Sequence, residues 1–168
     1  MFLLGIDPAL GATGYIGVEF DKRKRVLSLL ENGVIKTPSS ERLSKRVVKI
    51  YNTVEILLKR LKPEAVVLEK VYSHWRHPTT AALLGHVRGV IILCVSQKNI
   101  PMFEYSTTHI KKAVTGRGNA SNMQMKKMVE FFLGEEIKSE HIVYATSLIL
   151  AHINTMNIRG LKNINVRG

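Results

Sequence analysis

The chain is poor in cysteine, in acid and in long apolar runs. One cysteine in 168 residues, Cys94, excludes an intrachain disulfide and fits a reducing compartment. The greasiest stretch, Val90 to Val95, is too short to span a bilayer, so no membrane partner is expected. No basic n-region precedes an apolar h-region at the N-terminus, so no secretory leader is expected and a cytoplasmic location is. Acid is the main shortage: 13 Asp and Glu face 25 Lys and Arg, a net charge of +12. Such a surface attracts nucleic acid or an anionic membrane, and otherwise serves only to solubilise. With a pI near 10.0 and no basic amphipathic anchor, nucleic acid is the better reading. What remains is ordinary: 45% hydrophobic and 23% charged residues, in a length that suits one domain with a real core.

The chain is organised around Leu3-Leu4-Gly5-Ile6-Asp7-Pro8. An apolar run of β type ends in one carboxylate. A Pro/Gly turn and a second β-type run, Tyr15 to Phe20, follow, which reads as a hairpin. Asp7 then sits at the interior end of a buried strand, where a lone carboxylate is costly unless it is paired or binds a cation. The plainer alternative is an Asp that caps its own turn. Arg25 to Leu30 and Gly33 to Thr37 read as two further β runs, split by a turn at Glu31-Asn32-Gly33. Pro38-Ser39-Ser40-Glu41 reads as a helix start, with Ser as the cap. Leu43, Val47, Ile50, Val54, Leu57 and Leu61 recur at helical spacing up to Lys62-Pro63.

A second apolar strand, Ala65 to Leu68, also ends in an acid, Glu69. With a crossover helix before it, this strand is expected to lie parallel to the first. Asp7 and Glu69 would then meet, and two like charges held close imply a cation between them. The alternative for Glu69 alone is pairing with Lys70 or Arg88. Tyr72 and Trp75, beside Arg76, can stack on bases and touch phosphates, although Trp75 could equally cover the core. His74 and His77 lack the companions of a metal cluster.

Thr79 to Gln97 reads as a long helix on which Ala81, Gly85 and Gly89 form a smooth stripe, suited to the sheet or to a second copy. Ile100 to Tyr105 reads as a short strand. Lys111, Lys112 and the Gly-flanked Arg117 suit phosphate contacts. In the last helix, from Glu140, His141 and Tyr144 share a face.

Taken in order, these segments resemble the RuvC family of bacterial Holliday junction resolvases. The resemblance is carried by Gly5-Ile6-Asp7-Pro8 with Thr13-Gly14-Tyr15, Pro38-Ser39-Ser40-Glu41-Arg42-Leu43, and Val67-Leu68-Glu69-Lys70-Val71-Tyr72. It continues through Leu84-Gly85-His86-Val87-Arg88-Gly89-Val90, Phe103-Glu104-Tyr105 and Val114 to Ala120. It implies an α/β ribonuclease H-like fold, a mixed five-stranded sheet flanked by helices. Residues 1–156 would form one nuclease domain and 157–168 a basic, mobile tail. The implied activity is symmetric, metal-dependent nicking of two opposed strands of a four-way DNA junction by a homodimer, in recombination and repair. A junction-binding and branch-migration complex of RuvA and RuvB type is the implied partner. Asp7, Glu69 and His141 match catalytic, metal-binding positions, for Mg²⁺ or Mn²⁺, with two ions per site. Tyr72 matches an aromatic at the junction centre, and Lys111 a basic residue near the scissile phosphate. Arg76, Lys112 and Arg117 join them as DNA-binding candidates.

The chain departs from the pattern in places. Tyr144 stands where the family has a fourth acid, and a phenol is a poor ligand for a hard cation at neutral pH. Asn122 stands where a lysine is frequent, with Lys126 or Lys127 one turn on. Ala9 replaces a usual glycine, and Glu140, adjacent to His141, would supply the missing charge only if the helix rotates or slips. Two other functions compete: a junction-binding protein without cleavage, and a relative of the actin and sugar-kinase fold, whose phosphate loop the Asp7 turn also resembles. The chain is short for the two lobes that clamp a nucleotide.

Overall fold

A computed structural model describes residues 1–70, 78–156 and 165–166. Three strands come first: β1 (Phe2–Asp7), β2 (Ala12–Asp21) and β3 (Val26–Lys36). Helix α1 (Leu43–Leu61) crosses over to β4 (Ala65–Glu69), and α2 (Pro78–Gln97) crosses to β5 (Met102–Tyr105). Helices α3 (Thr107–Thr115), α4 (Asn122–Leu133) and α5 (Glu140–Thr155) follow. The sheet runs β5-β4-β1-β2-β3, antiparallel within the β1–β3 meander and parallel from β1 through β4 to β5. This is the expected five-stranded mixed sheet. A two-residue strand, β6 (Asn165–Val166), adds a sixth position beside β3. The rest of the tail lies outside the described residues, as do Tyr72, Trp75, Arg76, His74 and His77.

The period-2 alternation of the strands decides what faces what. Leu4 and Ile6 of β1, with Val66 and Leu68 of β4, join the core under α1 and α2. Leu3, Ala65 and Val67 join the opposite core, built on α3, α4 and α5. Continuing the alternation, Asp7 and Glu69 fall on the α5 face. The last pair of the parallel ladder is Ile6 with Leu68, so the two acids stand one step beyond it, side by side. Helix α5 is buried almost continuously from Ala145 to Ile153, which makes it the central helix of that layer.

Three expectations need correction. Glu31-Asn32-Gly33 is not a turn: β3 is one strand, with a register shift opposite Gly17 and Val18 that leaves Leu30 out of the ladder. Gly33 is required because Tyr15 lies over it; a Cβ there would come within 2.6 Å of the Tyr15 hydroxyl. That hydroxyl donates to Glu31. Helix α1 starts at Leu43, beyond Ser39 and Ser40, with Arg42 as an N-cap that makes no side-chain capping bond. Pro38 to Glu41 forms a turn instead, closed by the Glu41 amide on the Pro38 carbonyl. Finally, Thr79–Gln97 is long and apolar enough, by length and composition, to cross a membrane, because the apolar character extends well beyond Val90 to Val95. Its inner face, Val87, Ile91, Cys94 and Val95, is buried on α1 and the sheet. Its outer face leaves Leu83 and Leu93 exposed, and nothing lies within 4 Å of where Gly85 and Gly89 would carry a Cβ. The small-residue stripe therefore does not pack on the sheet.

Candidate active site

The site lies at the C-terminal ends of the parallel strands β1 and β4, under the first turn of α5. Two glycines let the helix approach the sheet. A Cβ at Gly5 would come within 2.4 Å of the Ala145 carbonyl oxygen, and one at Gly14 within 2.4 Å of the His141 carbonyl oxygen. Gly14 is the ladder partner of Asp7, so the helix that rests on Gly14 delivers His141 to Asp7. His141 Nδ1 lies 2.8 Å from Asp7 Oδ2. With the carboxyl ionised, the ring nitrogen is the donor.

The turn after Asp7 is fastened from both sides. The Thr13 hydroxyl donates to the Ala9 carbonyl at 2.7 Å, and the Thr37 hydroxyl donates to the Leu10 carbonyl. Arg46 of α1 in turn grips Thr37 through its hydroxyl and carbonyl oxygens at 3.3 and 3.2 Å. Asp7 is 9% exposed. Burial pushes its carboxyl up to about 6, the neighbouring Glu69 charge adds to that, and the hydrogen bond and charge of His141 oppose it.

Glu69 is held differently. Its carboxylate accepts from the Thr107 hydroxyl at the start of α3. Its main-chain carbonyl accepts from Arg88 of α2, whose guanidinium also pairs with the Glu104 carboxylate. Arg88 is thus a partner of Glu69, but through the backbone. Thr107 had no signal in the sequence beyond its place at a helix start; only the β4–β5 register, Glu69 opposite Tyr105, brings it to the acid.

Asp7, Ala9, Glu69, Thr107, Glu140, His141 and Tyr144 line one cleft of about 270 Å³. The two carboxylates and the imidazole predicted to act together therefore open on one space. Glu140 is on its rim and exposed. Tyr144 also lines the cleft, but its hydroxyl donates to Asn122 Oδ1 at 2.6 Å. Burial and the charges of Glu69, Asp7 and Glu140 push its phenol above the ordinary tyrosine range, so it stays neutral. Among the described residues no three His, Cys, Asp or Glu side chains form a ready-made ligand cluster. The donor chemistry still fits a hard divalent cation. Asp7 and Glu69 supply oxygens, and the burial that raises the Asp7 carboxyl makes a nearby positive charge favourable.

None of the described basic candidates lines this cleft, and Lys112 lines another with His109 and Asn154. Lys111 and Lys112 are on α3, the helix that begins at Thr107, with Lys111 half-buried and Lys112 exposed. Arg117, in the loop after α3, lines a separate cleft with Lys127, Thr115 and Gln124. Of the two lysines one turn beyond Asn122, Lys126 pairs with Glu130 at 3.5 Å, and Lys127 faces Arg117's cleft.

Residues 3–152 match the family model described as crossover junction endodeoxyribonuclease RuvC. A relative of that name from Petrotoga mobilis is 38% identical over 133 residues, which is 79% of this chain and 80% of the relative. The RuvC structure from Thermus thermophilus superposes with a TM-score of 0.84 at 28% identity, covering 94% of this chain and 96% of that one. The same protein in complex with a Holliday junction substrate superposes with a TM-score of 0.82 at 25% identity, covering 94% and 98%. A match of this extent leaves no room for the actin and sugar-kinase reading of the Asp7 turn.

Proposed function

The chain belongs to the RuvC family of crossover junction endodeoxyribonucleases, and we propose that it resolves four-way DNA junctions by hydrolysing one phosphodiester in each of two opposed strands. The observation that carries the reading is the convergence of Asp7, Glu69 and His141 on one cleft, in a protein of net charge +12. Asp7, Glu69 and His141 would hold Mg²⁺ or Mn²⁺, two ions in the full site, with phosphate oxygens of the DNA supplying the remaining donors. An imidazole ligand favours Mn²⁺. Such ions, when bound, activate water and offset charge on the leaving 3′-oxygen.

The chain's own residues do the rest. His141 orients the Asp7 carboxylate through the 2.8 Å contact. Thr107 fixes one oxygen of Glu69. Lys111 offsets charge that builds on the scissile phosphate, Lys112, Arg117 and Arg76 contact backbone phosphates, and Tyr72 meets the junction centre. The products are nicks with 5′-phosphate and 3′-hydroxyl ends. Two sites on one junction require two copies, and the open outer face of α2 is apolar enough to join them. A complex of RuvA and RuvB type would present the junction, and a DNA substrate of this kind places the protein in the cytoplasm.

The test is a synthetic four-way junction incubated with purified protein in parallel Mg²⁺ and Mn²⁺ arms, with Asp7→Asn as control. Paired nicks at symmetric positions, absent from the control, are expected. Tight junction binding without nicks in either metal would contradict the enzymatic reading and leave a junction-binding protein.

A further inference from the structure

Tyr144 is the residue in the cleft whose chemistry does not match its neighbours. It shares the α5 face of His141 and sits among Asp7, Glu69 and Glu140. Its hydroxyl proton is committed to Asn122 Oδ1 at 2.6 Å. Asn122 is the first residue of α4, immediately after a capping box in which Ser121 and Gln124 satisfy each other's backbone amides. That box fixes the first turn of α4, so the Asn122 side chain projects from a rigid base. The residue is exposed. An amide has one acceptor and two donors. With Oδ1 taken by the tyrosine, the NH₂ group has its orientation set, and among the described residues it has no protein partner. Two neutral donors are thereby held at a fixed helix start, one hydrogen bond from a cleft that carries three carboxylates, Asp7, Glu69 and Glu140.

We propose that Tyr144 is a positioning residue that acts through Asn122, and that the Asn122 amide donates to a phosphate of the bound DNA strand. The inference rests on the nuclease reading above. It makes the hydroxyl of Tyr144 an orienting group for a DNA contact, with no part in holding metal. A neutral hydrogen bond to phosphate contributes about 1 kcal/mol, roughly fivefold in affinity. The contact is made when the junction binds, so it acts on KM and leaves kcat nearly unchanged.

The experiment compares wild type, Tyr144→Phe, Asn122→Ala and the double variant. It measures junction affinity over a range of salt, cleavage kinetics, and Mn²⁺ affinity by calorimetry. Tyr144→Phe keeps the ring and Asn122→Ala changes an exposed helix start, so both are expected to melt close to wild type. Each single variant should weaken junction binding about fivefold, and the double variant should be no weaker than either single, because the two groups make one contact. The dependence of affinity on salt should be unchanged, since no charge is removed. Mn²⁺ affinity should not move. Loss of Mn²⁺ affinity in Tyr144→Phe would make the phenol a metal donor and overturn the proposal. So would fully additive losses, or junction binding equal to wild type in both variants. Failure of the wild type itself to cleave is a different result: it strikes the nuclease reading, whereas the outcomes above are read on binding alone.

Discussion

The raised carboxyl of Asp7 has consequences that can be measured on the single residue. Its ordinary value is 3.8 and its folded value about 6. Between these values the folded protein holds a proton that the unfolded chain has lost, so this group makes stability fall as pH rises from about 4 to 6. Above pH 6 the fold carries the full cost of a buried charge, about 2 to 3 kcal/mol by the size of the shift. Asp7→Asn removes the charge and keeps a group able to hydrogen-bond His141. In metal-free buffer the variant should be more stable than wild type at pH 7, with the gap closing towards pH 4; denaturant titrations at both values check it. Added Mn²⁺ should raise the melting temperature of wild type and not of the variant, and its affinity should decline as pH falls below about 6, where the proton competes. Asp7 and Glu69 stood out in the sequence because a carboxylate that ends an apolar strand is anomalous on its own, whereas His141 was singled out only by the family resemblance. Thr107 and the Tyr144–Asn122 bond were not legible there. Their partners lie 38 and 22 residues away, and no local pattern marks a hydroxyl that is going to meet a distant side chain.

At the scale of the element, the site depends on how closely α5 can lie on β1 and β2. Gly14→Ala would drive a methyl carbon into the His141 backbone, and rigid strand and helix backbones cannot both yield. It should lose junction cleavage by at least tenfold and lower stability by roughly 1 to 3 kcal/mol, the range of overpacking changes. Gly11→Ala, in the turn just before β2 and with nothing within 4 Å, should behave as wild type. Equal behaviour of the two variants would mean that the approach of α5 to the sheet does not set the site. The parallel pairing of β1 with β4 followed from apolar runs and a crossover helix, and so did the side-by-side placement of the two acids; the five-stranded sheet followed from the family resemblance. The errors fell where local propensity competes with packing. Asn-Gly reads as a turn in isolation, but at 32–33 the glycine makes room for Tyr15 within a continuous strand. Serine reads as a cap at 39–40, but Arg46 of α1 binds Thr37 and the helix begins only after the chain has turned.

For the whole molecule, the proposed junction binding and the proposed joining of two copies through the open face of α2 each have a direct test. A net charge of +12 predicts junction binding that weakens steeply with salt, with a slope set by the number of phosphates neutralised. Leu93, 52% exposed on α2, is far from the cleft residues in sequence and lines none of them. Leu93→Glu should shift the protein to monomer in sedimentation at micromolar concentration while single nicks persist. If sedimentation is unchanged, α2 is not the joining face. The central claim is that two carboxylates and an imidazole, with a neutral tyrosine beside them, suffice for cleavage. The most direct measurement is the mapping of nicks on all four strands of an immobile junction in Mn²⁺, with the ends tested for ligation. Nicks confined to two opposed strands at matching positions, with 5′-phosphates that DNA ligase reseals, are expected. Intact strands under conditions where the junction is fully bound would contradict it.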